Sequence, residues 1–208
     1  MDKMNTMWDD RYAGEEYVYG TEPNTFFKST IDQQNLSGRI LLPGEGEGRN
    51  AVYAAKSGLQ VSAFDISMEG RNKALKLAEK EKVMIHYEVG EFFDLSLVNK
   101  EYDAAALIFA HFPPQIASKY HHKIADLLKP GGLLILEGFS VGHLALRKLN
   151  PAVGGPGNMD MLFSKDSIQR DFPNFEILQL EEVDVELKEG DFHNGISKVI
   201  RFIGKKTG

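Results

Sequence analysis

A chain of 208 residues, of which 42% are hydrophobic and 26% charged, has the size and composition of one globular domain. It has no cysteine, which excludes disulfides, thiolate zinc sites and a cysteine nucleophile. The net charge of −6 argues against nucleic acid as a substrate, since such binding draws on Lys and Arg contacts to phosphate. No apolar run approaches ~20 residues and residues 1–10 are polar. We therefore expect a cytoplasmic protein, monomeric or homodimeric, that acts without a membrane partner.

Short apolar runs alternate with helix-like segments along most of the chain. Segments 49–57, 68–82 and 114–128 have helical character, and Lys129-Pro130-Gly131-Gly132 should break the last helix. Alternating strands and helices predict a parallel sheet covered by helices on both faces. Five runs lack strict polar alternation, as strands buried on both faces do: 39–43, 59–65, 83–89, 102–110 and 132–138.

The C-terminal quarter has a different pattern. Two longer runs with partial alternation, 175–187 and 196–203, are separated only by a loop at 189–195, which predicts a hairpin with one antiparallel strand. We expect a single domain over 1–208 with three parts. These are an aromatic extension (1–30), a cofactor-binding core (31–140), and an acceptor-side loop (150–157) followed by the hairpin (together 141–208).

A glycine-rich loop follows the first predicted strand. Its glycines stand at Gly44, Gly46 and Gly48, where they allow a sharp turn and close approach to a ligand ahead of the next helix. The nicotinamide fingerprint G-x-G-x-x-G would need glycine at Arg49. The observed G-x-G-x-G spacing is more typical of methyltransferases, although a simple turn between strand and helix would also use glycines.

Acidic residues end the second and third predicted strands. Asp65 lies 21 positions after Gly44 (65 − 44), near the ~20-residue offset of the acid that binds ribose hydroxyls. Its alternative role is capping the next helix, which Ser67 can do equally well. Glu91 is placed to accept from an adenine amino group, and Phe92 either covers the adenine ring or packs in the core.

The sequence resembles class I S-adenosylmethionine-dependent methyltransferases, and is most similar to the branch with the tellurite-resistance and thiopurine methyltransferases. The resemblance implies a Rossmann-like, seven-stranded, mostly parallel sheet with helices on both faces and an antiparallel C-terminal hairpin strand. It also implies S-adenosyl-L-methionine as cofactor, S-adenosyl-L-homocysteine as product, and a small-molecule acceptor. The resemblance extends over nearly the whole chain. The motifs that support it are Trp8…Arg11-Tyr12, Tyr19-Gly-Thr-Glu-Pro23, Gly44 to Asn50, Phe64-Asp65, Gly90 to Phe93, Tyr102-Asp103-Ala104, Leu127 to Gly132 and Leu187…His193-Asn-Gly195.

One position departs from the family pattern. The acid that usually precedes the first glycine by two residues is replaced by Leu42, so the cofactor's ammonium group needs another carboxylate. Glu45 or Glu47 can supply it, and we favour Glu45. The predicted cofactor-binding residues are Trp8, Tyr19, Gly44, Glu45, Gly46, Gly48, Asn50, Asp65, Ile66, Glu91, Phe92 and Phe109.

The acceptor is expected beyond the ends of the fourth and fifth strands. His111 and His193 are the candidate catalytic residues, since either can remove a proton from an alcohol or amine. A soft acceptor such as a thiolate, selenite or tellurite needs no base. Trp8, Tyr12 and Tyr19 form a lid or pin the extension to the core. The rival hypotheses are a non-catalytic cofactor-binding module and a nicotinamide-dependent oxidoreductase.

Overall fold

One seven-stranded sheet organises the protein in a computed structural model that describes residues 3–208. The strand order is β3-β2-β1-β4-β5-β7-β6, and only β7 is antiparallel to its neighbours. This confirms the predicted Rossmann-like sheet with an antiparallel hairpin strand. The strands are Arg39–Pro43 (β1), Gln60–Asp65 (β2), His86–Val89 (β3), Tyr102–Ile108 (β4), Leu128–Phe139 (β5), Phe175–Lys188 (β6) and Asn194–Lys206 (β7).

Helices cover both faces of the sheet. The central three were predicted to within about two residues, whereas the two in the extension and the two short ones after β5 were not predicted. The extension's second helix continues past residue 30 into the expected core segment. The helices are Lys3–Tyr12 (α1), Thr25–Gln34 (α2), Arg49–Lys56 (α3), Met68–Lys80 (α4), Pro114–Leu127 (α5), His143–Leu149 (α6) and Lys165–Asp171 (α7).

Successive residues of a central strand enter different layers of the core, because side chains alternate across a sheet. In β1, Leu41 packs in the layer under α5 and α7, with Ile124 and Ile168. Its neighbour Ile40 packs on the opposite face, together with Phe27 of α2 and with alanines of α3 and α4. Both faces of the strand are buried after the exposed Arg39, which is why residues 40–43 are uniformly apolar.

The helix α5 ends at Leu127, next to the predicted helix breaker, but the strand that follows begins earlier than expected. The strand was predicted from residue 132, whereas β5 begins at Leu128 and includes the breaker segment. The register against β4 shifts between Tyr102 and Ala104, and Gly131 adopts a φ of 79°. A bulge of this kind accommodates Pro130, which has no N–H to donate to the ladder.

The direction of β6 determines where the C-terminal loop lies. Because β7 is antiparallel to both β5 and β6, β6 runs parallel to the first five strands. The loop after Lys188 therefore meets the carboxyl ends of β1 to β5, as the hairpin prediction required. The acceptor-side loop contains one short 3-10 turn, Pro151–Val153. Within residues 3–208 no helix combines the length and apolar character needed to cross a membrane.

Candidate active site

A cavity of about 470 Å³ opens at the carboxyl ends of the parallel strands. Its walls come from the glycine loop, the ends of β2 to β5, the N-terminal extension and the loop after α6. Of the predicted site residues, all but Gly48 line it. The predicted residues at its surface are Trp8, Tyr19, Gly44, Glu45, Gly46, Asn50, Asp65, Ile66, Glu91, Phe92, Phe109, His111 and His193.

The glycine loop needs its glycines for two different reasons. Gly44 and Gly46 have φ values of 62° and 58°, a left-handed conformation that side chains rarely adopt. A Cβ on Gly46 would also lie 2.7 Å from the Tyr12 hydroxyl, so the extension closes directly over this backbone. Gly48 is also left-handed, with a φ of 85°, but it faces helix α4, because a Cβ there would lie 2.5 Å from that of Ala74. Its role is close helix packing behind the cavity.

The two glutamates of the loop have different partners. Glu45 accepts a hydrogen bond from the Ala51 amide at 2.6 Å, and burial raises its pKa to about 7. Glu47 accepts from the Val18 amide at 2.9 Å and from Lys73 Nζ at 2.8 Å. Glu47 therefore uses one oxygen to hold the extension and the other to pair with helix α4, which leaves Glu45 as the better placed carboxylate for an ammonium group.

Asp65 ends β2 at the cavity wall. Its two carboxylate oxygens accept from the amides of Gly46 and Ser67, each at 3.0 Å, which fixes the carboxylate against the loop. Burial raises the pKa of Asp65, although these hydrogen bonds oppose the shift. Ser67 is the N-cap of α4 and accepts from Gly70. The serine thus takes the capping role that was the alternative explanation for Asp65.

The end of β3 supplies a second acidic wall. Glu91 accepts a hydrogen bond from the Tyr120 hydroxyl at 2.8 Å, and burial is the main cause that raises the pKa of Tyr120 to about 12. Phe92 is fully buried and stacks on Phe64 at 4.8 Å between ring centroids, yet it also lines the cavity. The two interpretations of Phe92, core and ring cover, are therefore compatible.

The extension forms the roof of the cavity. Trp8 stacks on Tyr12 at 5.5 Å, and the Tyr19 hydroxyl accepts from Arg11 at 3.2 Å. Asn50, at the start of α3, accepts from the Asn24 amide at 2.9 Å and so holds the entry to α2. These aromatic side chains both cover the cavity and attach the extension to the core.

His111 lies beyond β4 with both ring nitrogens occupied. Nδ1 is 2.7 Å from the Met161 carbonyl oxygen, which can only accept, so Nδ1 carries the proton. Nε2 accepts from the Phe139 amide at 3.0 Å. Burial lowers the pKa of His111 to about 4. This arrangement links two cavity walls and leaves no ring lone pair for an acceptor proton.

His193 has a different arrangement in the loop between β6 and β7. Its Nδ1 lies 3.2 Å from a carboxylate oxygen of Glu189, which can only accept, so Nδ1 carries the proton. Arg49 donates to the same oxygen at 2.7 Å. Burial alone would raise the pKa of Glu189, but the His193 hydrogen bond and the Arg49 charge hold this pKa at about 2. Nε2 of His193 has no hydrogen-bond partner among residues 3–208, so it can take a proton.

Aromatic rings hold His193 in place. Its ring centroid lies 4.6 Å from that of Tyr19, 4.4 Å from that of Phe109 and 5.2 Å from that of Phe139. Phe109 has a φ of 54°, which is uncommon for a bulky side chain. Such backbone strain is concentrated at functional sites, and here it accompanies an apolar wall beside the imidazole.

Several residues in or beside the cavity were not predicted from the sequence. Glu189 stands in a loop that the sequence identified, but its pairing with His193 depends on the return of β6 to the active edge. Arg147 on α6 has no sequence signal at all. His121 on α5 is buried as well, and it lies 2.7 Å from a carboxylate oxygen of Asp171. Its ring packs between α5 and α7, away from the cavity.

Comparison with known families agrees with the geometry. Residues 40–132 match the family model of the methyltransferase domain, a stretch that runs from β1 into β5 and includes the glycine loop, Asp65 and Glu91. No curated protein sequence matches the chain.

Solved structures share the fold at low sequence identity. One, described for the conversion of a disulfide bond into a thioacetal group during echinomycin biosynthesis, has a TM-score of 0.76 and 16% identity, covering 98% of this chain and 92% of its own. Magnesium protoporphyrin IX methyltransferase (ChlM) from Synechocystis PCC 6803, with bound SAH, has a TM-score of 0.70 and 18% identity, covering 98% and 96%. TehB from Haemophilus influenzae has a TM-score of 0.67 and 16% identity, covering 86% of this chain and 61% of TehB.

Proposed function

We propose that this chain, of which residues 40–132 match the family model of the methyltransferase domain, is an S-adenosylmethionine-dependent methyltransferase that transfers a methyl group to a small molecule. The main support for the proposal is that one cavity combines a half suited to the cofactor with a half suited to the acceptor. One half has a glycine loop with two strand-end carboxylates, and the other has apolar walls around a single histidine with a free nitrogen.

The acidic half fits the cofactor. The left-handed glycines keep side chains away from the loop, Asp65 presents a buried carboxylate suited to a ribose diol, and Glu91 suits an adenine amino group. Glu45 is the carboxylate we assign to the ammonium group. When bound, S-adenosylmethionine supplies a methyl group that its sulfonium already activates, and S-adenosylhomocysteine is the product.

The apolar half fits the acceptor. Phe109 and Phe139 exclude water beside His193, which favours a desolvated nucleophile held near the reacting carbon. Nε2 of His193 takes the proton of a neutral acceptor, while the Nδ1–H of the same ring remains hydrogen-bonded to Glu189. A thiolate or an oxyanion such as tellurite or selenite needs no such transfer.

The size of the cavity favours a small acceptor. About 470 Å³ is within the range of a single small-ligand site, and it must hold both cofactor and acceptor. We propose thiols as the first candidates, with tellurite and selenite next. The likeness to the protein described for the conversion of a disulfide bond into a thioacetal group supports the choice of sulfur acceptors. We propose no nucleic-acid partner, consistent with the net charge of −6.

Calorimetry tests the cofactor half. We expect S-adenosylhomocysteine to bind, and we expect Asp65→Asn to weaken binding by about tenfold or more, since a hydrogen bond to a charged group contributes ~1.5–3 kcal/mol. Asp126→Asn, an exposed carboxylate on α5, is the matched control and should bind as the wild type does. Binding of NADH without S-adenosylhomocysteine would overturn the proposal in favour of an oxidoreductase.

Turnover tests the acceptor half. Radiolabelled methyl transfer from S-adenosylmethionine should be detected with at least one member of a panel of alkyl thiols, aryl thiols, selenite and tellurite. Cofactor binding without transfer to any of them would favour a non-catalytic binding module instead.

A further inference from the structure

The acceptor half of the cavity contains an arginine without a carboxylate partner. Arg147 on α6 donates from Nε to the Gly155 carbonyl oxygen at 2.9 Å, which fixes the plane of its guanidinium group. A Cβ on Gly157 would lie 3.1 Å from Arg147 Nη1, so the loop passes close to the group. No ion pair between residues 3–208 includes Arg147, although the side chain is half-buried and lines the cavity.

The cavity's charges are divided between its two halves. Four carboxylates belong to the cofactor half beside the ends of β1 to β3, and one of them, Glu47, is paired with Lys73. The other three are Glu45, Asp65 and Glu91. Arg49 is neutralised by Glu189 at 2.7 Å, so it does not offer a free charge. Arg147 adds a positive charge on the opposite side, against walls that are largely apolar. A half-buried cation of this kind is costly unless an anion binds there.

Arg11 is the other cavity arginine without a carboxylate among its contacts in the described chain. Its guanidinium lies 5.1 Å from the Trp8 ring and 4.6 Å from the Phe192 ring, and it donates to the Tyr19 hydroxyl. Those contacts use the faces of the group to join the extension to the C-terminal loop. Among the described residues no ring lies over the face of Arg147, and its terminal nitrogens make no hydrogen bond.

We propose that the acceptor carries a carboxylate that Arg147 binds, so that its nucleophile is presented beside His193. The inference rests on the proposed methyltransferase function and specifies its substrate class. One loop connects the two groups: a Cβ on Gly154 would lie 2.9 Å from the His193 ring, and Gly157 contacts Arg147. The Cα atoms of these two glycines are at most about 11 Å apart. An acceptor with the size of a substituted aromatic acid can span that distance.

The geometry of the guanidinium makes the proposal specific. Nε is already bound to Gly155, and the two terminal nitrogens remain as a fork that matches two carboxylate oxygens. A lysine offers a point charge without that fork or the Nε donor that holds it. Arg147→Lys should therefore recover only part of the affinity that Arg147→Gln loses.

The test measures ligand binding by calorimetry with the protein saturated in S-adenosylhomocysteine. The probes are 3- and 4-sulfanylbenzoate and their neutral counterparts 3- and 4-sulfanylbenzamide. We expect the wild type to bind at least one benzoate at least tenfold more tightly than its benzamide, and Arg147→Gln to abolish the difference. Lys148→Gln removes the same charge from the next, exposed position of α6 and should leave the preference intact.

Three outcomes overturn the inference: equal binding of acid and amide by the wild type, a preference that survives in Arg147→Gln, or Arg147-dependent binding of tellurite alone. Each of these outcomes can be told apart from failure of the proposed methyltransferase function, because binding of S-adenosylhomocysteine is shown to be saturated before the acceptor probes are added. A protein that binds no S-adenosylhomocysteine refutes both.

Discussion

Hydrogen bonding, rather than residue type, distinguishes the histidines on the acceptor side of the cavity. His111 has both nitrogens occupied, and so has His143, whose Nε2 lies 3.1 Å from the Gly154 carbonyl oxygen and whose Nδ1 accepts from the Lys198 amide at 3.3 Å. Only His193 among these three keeps a nitrogen without a partner in residues 3–208. The geometry therefore favours His193 as the base and gives His111 and His143 structural roles.

We expect His193→Gln to lower kcat by about 10²–10⁴ for an alkyl thiol that is protonated at neutral pH, since that is the usual contribution of a general base. An aryl thiol that is already ionised should be methylated at nearly the wild-type rate. His122→Gln, an exposed change on α5, is the control for a lost imidazole. Steady-state rates with both thiols measure the contrast, and an equal loss for both would argue against a base.

The pH profile gives a second measure of the same role. Burial lowers the pKa of His193, and the charges of Arg49 and His143 act in the same direction, while Glu189 opposes them. The base is active above its pKa, so wild-type kcat/KM for the alkyl thiol should fall as pH decreases through a value below the ordinary ~6.5. His193→Gln should remove that inflection, and its persistence would assign it to another group.

At this scale the sequence could identify residue types but not their partners. Asp65 and Glu91 were predictable because strand ends meet at one edge of a parallel sheet. The unpartnered Nε2 of His193 was not predictable, because the orientation of the ring depends on Glu189 and Arg49, which are 140 positions apart along the chain. Arg147 was missed because a single arginine on a short helix has no distinguishing pattern.

At the scale of elements, apolar runs predicted the strands well because both faces of the sheet are covered. β1 has the predicted bounds, and α3, α4 and α5 differ from prediction by at most two residues at an end. The extension was not assigned helices, because its aromatic side chains contact the cavity and the glycine loop rather than forming one apolar stripe. Helix α1 is stabilised by tertiary contacts that its own sequence does not show.

The side chain of Asp9 attaches α1 to the core. Its removal tests whether α1, which covers the cavity, retains the cofactor. Asp9 accepts from Ser67 Oγ at 2.6 Å and from the Glu69 amide at 3.2 Å, and the Ser67 hydrogen bond is the main cause that lowers the pKa of Asp9. We expect Asp9→Ala to lower the free energy of unfolding by only about 1 kcal/mol but to speed release of S-adenosylhomocysteine severalfold. Asp10→Ala, the exposed neighbour, should do neither.

The fluorescence of Trp8, the chain's single tryptophan, measures this release in stopped flow because Trp8 lines the cavity. An unchanged release rate in Asp9→Ala would show that α1 does not retain the cofactor.

At the scale of the whole molecule, a buried polar network joins segments that are distant in sequence. Glu137 on β5 accepts from Asn24 Nδ2 at 2.7 Å and from Arg201 Nε on β7 at 2.6 Å. Asn24 also donates to Glu189 at 3.1 Å, next to His193. The extension, the central sheet and the C-terminal hairpin therefore meet behind the acceptor half of the cavity, which no local sequence pattern could predict.

Breaking the ion pair of this network should be costly, because it leaves a buried carboxylate without compensation. We expect Arg201→Met to lower the free energy of unfolding by about 3–5 kcal/mol, and a Glu137→Leu change in the same chain to restore most of the loss. Urea denaturation at pH 8 measures both variants, and Arg201→Lys is the control that keeps a charge. A double variant no more stable than Arg201→Met would show that the defect comes from packing against Phe26.

The same variant should respond to pH in a defined direction. Burial raises the pKa of Glu137 and Arg201 opposes the shift, so removal of Arg201 raises this pKa further. A carboxyl group with a raised pKa in the folded state contributes stability below its unfolded pKa and loses it as pH rises through the folded value. The deficit of Arg201→Met should therefore be smaller at pH 5 than at pH 8. An equal deficit at both pH values would mean that removing Arg201 leaves the pKa of Glu137 unchanged.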